Sequence, residues 1–221
     1  NAEYITLAET EAIFEKPGNA SFEEAAAISE GAITALPFLR DSAKIKKGDR
    51  VLIIGASGGV GVYAVQLAKH LGAHVTGVCG PGNQDLVRGL GADQVIDYTK
   101  TDYLSVENAY RIIFDAVGKS SFPQCKKALL SGGVYMTTVP TGSSMIHMLL
   151  TSIAGKKKAV FSATGIRKPA DKIKDLELLR QLIEEGTLKP VIDRSYSLFQ
   201  ISEAHRYVDT GHKRGSVVVK V

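Results

Sequence analysis

The chain has 221 residues, 44% of them hydrophobic and 23% charged, with a formal net charge of +4 at pH 7. That length allows one large domain, or one domain and part of another, and the composition is that of an ordinary globular protein. No basic stripe with interleaved aromatics marks a nucleic-acid surface, and no apolar run reaches the roughly 18 residues a membrane span needs. Two cysteines, Cys79 and Cys125, make no disulfide framework and read as reduced, buried thiols.

The chain opens on Ala2-Glu3-Tyr4-Ile5-Thr6-Leu7, which reads as a strand already under way behind Asn1, so the N-terminus looks cut. Ser21 with Glu24 is a capping-box signature that opens a short alanine-rich helix, and a second helical stretch is expected from Gly31 to Lys44. Val51-Leu52-Ile53-Ile54 is a continuous apolar run of the kind buried on both faces of a parallel sheet. Then come an amphipathic helix Val60–Leu71, a strand His74–Cys79, a helix Gln84–Leu90 ended by Gly91, and strands Gln94–Asp97 and Arg111–Val117. The series continues through helix Phe122–Leu130, strand Val134–Val139, helix Met145–Ala154, strand Ala159–Ala163 and helix Ile173–Glu185. Strands separated by helix-length segments predict an α/β fold, a Rossmann-type doubly wound parallel sheet with helices on both faces. The last thirty residues read differently: strand Tyr196–Leu198, helix Ala204–Val208, the turn Gly211-His212-Lys213-Arg214-Gly215 and strand Ser216–Val221.

Gly55-Ala56-Ser57-Gly58-Gly59-Val60-Gly61 lies between the buried strand and the amphipathic helix. A dinucleotide pyrophosphate approaches the backbone closely and rests on free N–H groups at a helix start. Gly58 and Gly59 leave room for that approach, and Gly61 allows tight helix–strand packing. Ala56 stands where the usual fingerprint has its first glycine. An NAD site places a carboxylate at the end of the second strand for the ribose hydroxyls; here no acid occurs between Cys79 and Asp85, which favours NADP over NAD. No Lys or Arg stands in that turn to hold a 2′-phosphate, and Asn83 with Lys100, beside Tyr98, are the candidate substitutes.

These motifs occur together with Phe22-Glu23-Glu24-Ala25-Ala26-Ala27, Gly31-Ala32-Ile33-Thr34-Ala35, Leu90-Gly91-Ala92-Asp93, Val95-Ile96-Asp97-Tyr98, Phe114-Asp115-Ala116-Val117-Gly118 and the closing 211–215 segment. In combination they resemble the zinc-independent quinone oxidoreductase and alkenal/enone reductase branch of the medium-chain dehydrogenase/reductase superfamily. The resemblance implies three segments: 1–25 as a remnant of a GroES-like catalytic domain, 26–190 as the NAD(P)-binding Rossmann domain, and 191–221 as the return to the catalytic domain. It implies that Thr34 lies near the nicotinamide or phosphates and that Ser57, Gly58, Gly59 and Val60 hold the pyrophosphate. Asn83 and Tyr98 would border the adenosine ribose, while Val117, Val139, Phe161 and Ala163 would flank the nicotinamide ribose and ring.

The implied activity is NADPH-dependent hydride transfer to a quinone or an enone/enal, by a cytoplasmic homodimer, with this chain alone binding cofactor but turning over poorly. No catalytic residue is named in these residues and no metal set is expected. Two departures matter. Gly82 stands where many NADP-using relatives carry a basic residue, and Glu30 stands where zinc alcohol dehydrogenases carry a cysteine ligand. A zinc-dependent alcohol dehydrogenase is therefore the alternative enzyme, and a non-catalytic NADP-binding scaffold the alternative of another class.

Overall fold

Ser21 caps the first helix, α1 (Phe22–Pro37). Its hydroxyl accepts from the Glu24 N–H at 3.1 Å while the Glu24 carboxylate accepts from the Ser21 N–H at 2.8 Å, so both donors of the capping box are satisfied. The computed structural model describes residues 4–153, 155–161 and 164–221. Two expectations fail at this end. Residues 4–8 form no strand, and Tyr4, Ile5 and Leu7 are exposed, with no sheet edge beside them to pair with. The two expected helices are one, continued by a five-residue π-helical turn, Phe38–Ser42. Gly31 is an interior residue of α1, and a Cβ there would collide with the Gly59 carbonyl and the Tyr63 ring. Glycine serves close approach here, and does not end the helix.

The central sheet is parallel throughout. Its strands are β1 (Arg50–Ile54), β2 (His74–Cys79), β3 (Gln94–Asp97), β4 (Tyr110–Asp115), β5 (Leu129–Thr137) and β6 (Lys158–Val160), in the order β3-β2-β1-β4-β5-β6. Chain order reverses direction between β1 and β4, which opens a crevice at their carboxyl ends. Residues 51–54 of β1 are buried on both faces, as the unbroken apolar run requires.

Helix α2 (Gly61–His70) packs against α1, and eight of its ten residues are buried. The smaller helices are α3 (Gln84–Gly89) and α4 (Phe122–Cys125). The latter is much shorter than expected, because Leu129 is already paired with Tyr110 as the first residue of β5. Helix α5 (Gly142–Ile153) runs beside β6 with no buried residue, and α6 (Pro169–Glu184) packs on α1. The expected strand Ala159–Ala163 is shorter, and Ala163 lies outside the described residues.

The closing unit is a separate two-stranded parallel sheet, β7 (Ile192–Ser197) with β8 (Ser216–Lys220), joined by α7 (Ile201–Asp209). The expected strand Tyr196–Leu198 is thus the end of a longer one. Gly215 enters β8 with φ +79°, and a Cβ there would strike the Val191 carbonyl, so only glycine fits. A buried ion-pair network ties the π-helical turn to α6: Asp175, 1% exposed, accepts from Arg40 at 2.7 Å. Arg167 Nη2 lies 3.1 Å from its second oxygen, without the alignment of a hydrogen bond. No helix among the described residues is long and apolar enough to cross a membrane.

Candidate functional site

At the end of β1 the chain turns sharply. The N–H groups of Gly55 and Ala56 both donate to the Val78 carbonyl, at 3.1 and 2.9 Å, which fastens the turn to β2. Gly61 then packs so close that a Cβ would overlap the Gly55 carbonyl and sit 2.8 Å from Ala56 Cα. Among the described residues, the N–H groups of Ser57, Gly59 and Val60 donate to no protein acceptor. Free donors before the ten-residue α2 are a receptor for an anion.

The neighbouring loop after β4 is organised by Asp115, which is fully buried. Its carboxylate accepts from the N–H groups of Val117, Gly118 and Ser120 and from the Ser120 hydroxyl, at 2.7 to 3.0 Å. Four hydrogen bonds compensate the burial of a carboxylate. They also hold Val117 over the crevice, against the β1 turn.

Between these loops and the end of β2 lies a cavity of about 750 Å³. Ser57 and Gly58 form its floor, Asn83 and Tyr98 one wall, and Val117 another. Asn83 Nδ2 donates to Ser57 Oγ at 3.1 Å, while its Oδ1 is buried with no partner. A buried acceptor without a donor is costly, and a ribose hydroxyl is a donor of the right kind. Tyr98, 55% exposed, leaves its ring available as an apolar wall.

The remaining wall comes from far away in sequence. The 211–215 turn folds back over the cavity, with the Gly215 N–H donating to the Ser57 carbonyl at 2.8 Å. Lys213 Nζ comes within 2.5 Å of where a Cβ on Gly59 would stand, and Arg214 Nη2 within 3.3 Å of the corresponding point at Gly82. The turn that lacks a basic residue of its own is therefore served by one from the closing unit. Lys119 and His212 also line the cavity, and among the described residues no Asp or Glu does. Basic side chains thus gather around a cavity at a helix N-terminus, an arrangement that favours an anionic ligand.

Of the residues expected at a site, Ser57, Gly58, Asn83, Tyr98 and Val117 meet in this one cavity. Gly59 lies under Lys213, and Val139 abuts Gly118 at the rim. Thr34 is half-buried on α1, Val60 packs on the core, and Phe161 stacks edge-on against Phe38 at 6.3 Å; none of the three lines the cavity. Ala163 lies outside the described residues. Sequence reasoning missed Tyr103, Lys119, His212, Lys213 and Arg214. The available signal was three consecutive basic residues bracketed by Gly211 and Gly215.

Burial holds the Lys213 ammonium below the usual lysine range, against a smaller opposing pull from Glu30 and Asp193. A bound pyrophosphate would hold that proton. Affinity for an anionic ligand held by that ammonium is therefore expected to be full below the free-state pKa of Lys213 and to decline as pH rises through it. The decline begins at a lower pH than an exposed lysine would give, and disappears in Lys213→Met. Fluorescence titration from neutral to alkaline pH checks this; a flat profile in the unsubstituted protein contradicts it.

Among the described residues no group of three or more His, Cys, Asp and Glu is arranged to hold a metal ion. Burial pushes the Cys79 and Cys125 thiols up to about 11, so neither is a ready thiolate ligand, and Glu30 lies within the electrostatic reach of Lys213.

A family model described as zinc-binding dehydrogenase matches residues 90–219. The mouse protein named NAD(P)H oxidoreductase RTN4IP1, mitochondrial, is 34% identical over 249 residues, covering 100% of this chain and 61% of that protein. The spinach quinone-oxidoreductase homolog, chloroplastic, is 34% identical over 228 residues, covering 99% of this chain and 68% of its own. The solved structure of Escherichia coli quinone oxidoreductase complexed with NADPH superimposes with a TM-score of 0.80 at 25% identity, over 93% of this chain and 67% of that chain. The chain spans less than two thirds of the mouse relative's length.

Proposed function

The chain belongs to the zinc-binding dehydrogenase family, in the quinone oxidoreductase branch of the medium-chain dehydrogenase/reductase superfamily, and from that premise we propose an NADPH-dependent oxidoreductase that reduces a quinone or an α,β-unsaturated carbonyl. The observation that carries the proposal is the cavity at the ends of β1, β2 and β4: the free Ser57 N–H on its floor with those of Gly59 and Val60 following it, four basic side chains around it and, among the described residues, no carboxylate in its lining. A ligand with a pyrophosphate and a further phosphate matches that charge. The spinach and E. coli relatives are named as quinone oxidoreductases, and the E. coli protein was solved with NADPH.

In this reading the N–H groups of Ser57, Gly59 and Val60, with Lys213, hold the pyrophosphate. Asn83 Oδ1 accepts from a ribose hydroxyl, Arg214 pairs with the 2′-phosphate across Gly82, and Tyr98 borders the adenosine. Val117 and Val139 form the apolar rim toward the reacting end, where excluding water favours transfer over leakage. The bound cofactor supplies the hydride, from C4 of its nicotinamide. Residues 26–190 are assigned to cofactor binding, and residues 1–25 and 191–221 to the catalytic unit, with the 211–215 turn lent to the cofactor.

A homodimer belongs to the same proposal. Met145, Ile146, Leu149, Leu150 and Ile153 of α5 are exposed on one face beside the sheet's terminal strand β6, a surface suited to a second copy. The mouse and spinach relatives are named as mitochondrial and chloroplastic, which lends the expected cytoplasmic setting no support.

The test is steady-state NADPH oxidation with a naphthoquinone and with an α,β-unsaturated aldehyde as acceptors. Acceptor-dependent turnover with either supports the proposal. NADPH binding by the full-length protein without oxidation by either acceptor would leave a nucleotide-binding scaffold in its place.

A further inference from the structure

The basic turn that closes the cavity is short, rich in glycine and exposed at Arg214, so left to itself it would hold no fixed position. Its start is held by the Gly211 N–H donating to the Val208 carbonyl at 3.0 Å and the His212 N–H donating to Thr210 Oγ1 at 3.4 Å, and three hydrogen bonds fix the rest. The Gly215 N–H donates to the Ser57 carbonyl at 2.8 Å, and Lys213 Nζ donates to the Gly215 carbonyl at 2.9 Å. The third comes from outside both the turn and the cavity: the Arg214 N–H donates to Asp193 Oδ2 at 2.9 Å.

Asp193 stands on β7, twenty-one residues earlier in the chain, and is not among the residues lining the cavity. Its carboxylate is itself held. Tyr207 of α7 donates its hydroxyl to the same oxygen at 2.6 Å, and the Arg194 guanidinium lies over the Tyr207 ring, 3.8 Å from its centroid. Strand β7, helix α7 and the turn therefore converge on one carboxylate oxygen. A hydrogen bond from a backbone N–H to a charged acceptor is among the stronger kinds. It acts on the backbone of the one residue whose guanidinium faces Gly82.

We propose that Asp193, supported by Tyr207, is a positioning residue for nucleotide selectivity: it holds the 211–215 turn so that Arg214 reaches the 2′-phosphate. This rests on the NADPH reading above. The carboxylate sits behind the turn, so it orders the guanidinium without facing the anion. Lys213 has a second tether through Gly215, and the pyrophosphate contact common to NADPH and NADH is accordingly less dependent on Asp193.

The experiment measures NADPH and NADH affinities for the unsubstituted protein, Asp193→Ala, Asp193→Asn, Tyr207→Phe and Arg214→Ala. Asp193→Ala is expected to weaken NADPH by about tenfold, the worth of a hydrogen bond to a charged group, and to leave NADH within about twofold. Asp193→Asn, which keeps an acceptor, recovers part of the loss, and Tyr207→Phe lies between. Asp193→Ala combined with Arg214→Ala is no worse for NADPH than Arg214→Ala alone, because both act through one contact. A merely structural role would weaken both nucleotides alike. If Asp193→Ala does not fold, the Asn and Phe variants give the same discrimination. Loss of selectivity in Arg214→Ala with full selectivity in every Asp193 and Tyr207 variant overturns the positioning role and leaves the NADPH reading intact. Equal affinities in the unsubstituted protein overturn both.

Discussion

Gly59→Leu is expected to stay folded and to lose nucleotide binding by roughly a hundredfold or more, about 2.7 kcal/mol. Gly59 does not have a left-handed φ. The nearest atom to an added Cβ is the end of the flexible Lys213 side chain, and the nearest backbone atom, the Gly215 carbonyl, is 3.5 Å away. The protein can therefore accept the side chain, but the anion cannot: leucine would fill the space over the free N–H donors and push the lysine aside. Gly61→Val is expected to do the opposite. Its Cβ would overlap backbone of the preceding turn at Gly55 and Ala56, which cannot yield without pulling the turn off Val78. Overpacking of this kind costs about 3 kcal/mol, or roughly 6 to 12 °C in Tm for a chain of this size. Circular dichroism melts with NADPH titration separate the two. Normal NADPH binding by Gly59→Leu would mean that the anion does not rest on this loop.

Arg214→Ala is expected to weaken NADPH by about tenfold and to leave NADH nearly unchanged, since the guanidinium faces Gly82 and not the phosphate loop. The figure is at the low end for a charge-assisted contact because Arg214 is exposed and screened by salt. Lys213→Ala, in contrast, removes a half-buried charge from over Gly59 and should weaken both nucleotides together. Titrations at low and physiological ionic strength distinguish a selective loss from a general one. An equal loss for both nucleotides in Arg214→Ala would remove that residue from the 2′-phosphate.

The fold was largely legible because its signals are local. The apolar run at Val51–Ile54, the Ser21–Glu24 cap, the helix stop at Gly91 and the glycine-rich turn each act within a few residues. The expected strands His74–Cys79 and Gln94–Asp97 match β2 and β3 end to end. Errors arose where tertiary context decides. A strand was expected at residues 2–7, where the described part has no partner. The expected helix Phe122–Leu130 overlaps residues that the sheet claims from Leu129 onward. Gly31 lies in an unbroken helix because its hydrogen faces the Gly59 carbonyl, a contact that no local pattern announces.

The candidate site was half legible for the same reason. Ser57, Gly58, Asn83, Tyr98 and Val117 follow the ends of β1, β2, β3 and β4, so the order of strands places them together. Lys213 and Arg214 arrive through the Gly215–Ser57 hydrogen bond, between residues far apart in the chain. The turn after β2 carries no cation of its own at Gly82, and Arg214 supplies one across space, a contact with no local signal in the sequence.

The most direct test of this account is calorimetric titration of the unsubstituted protein with NADPH and with NADH under the same salt. With Arg214 over Gly82 and no carboxylate lining the cavity, NADPH should bind about tenfold more tightly, a difference that narrows as salt is raised. Equal or tighter binding of NADH would contradict the assignment of the cationic turn to the 2′-phosphate.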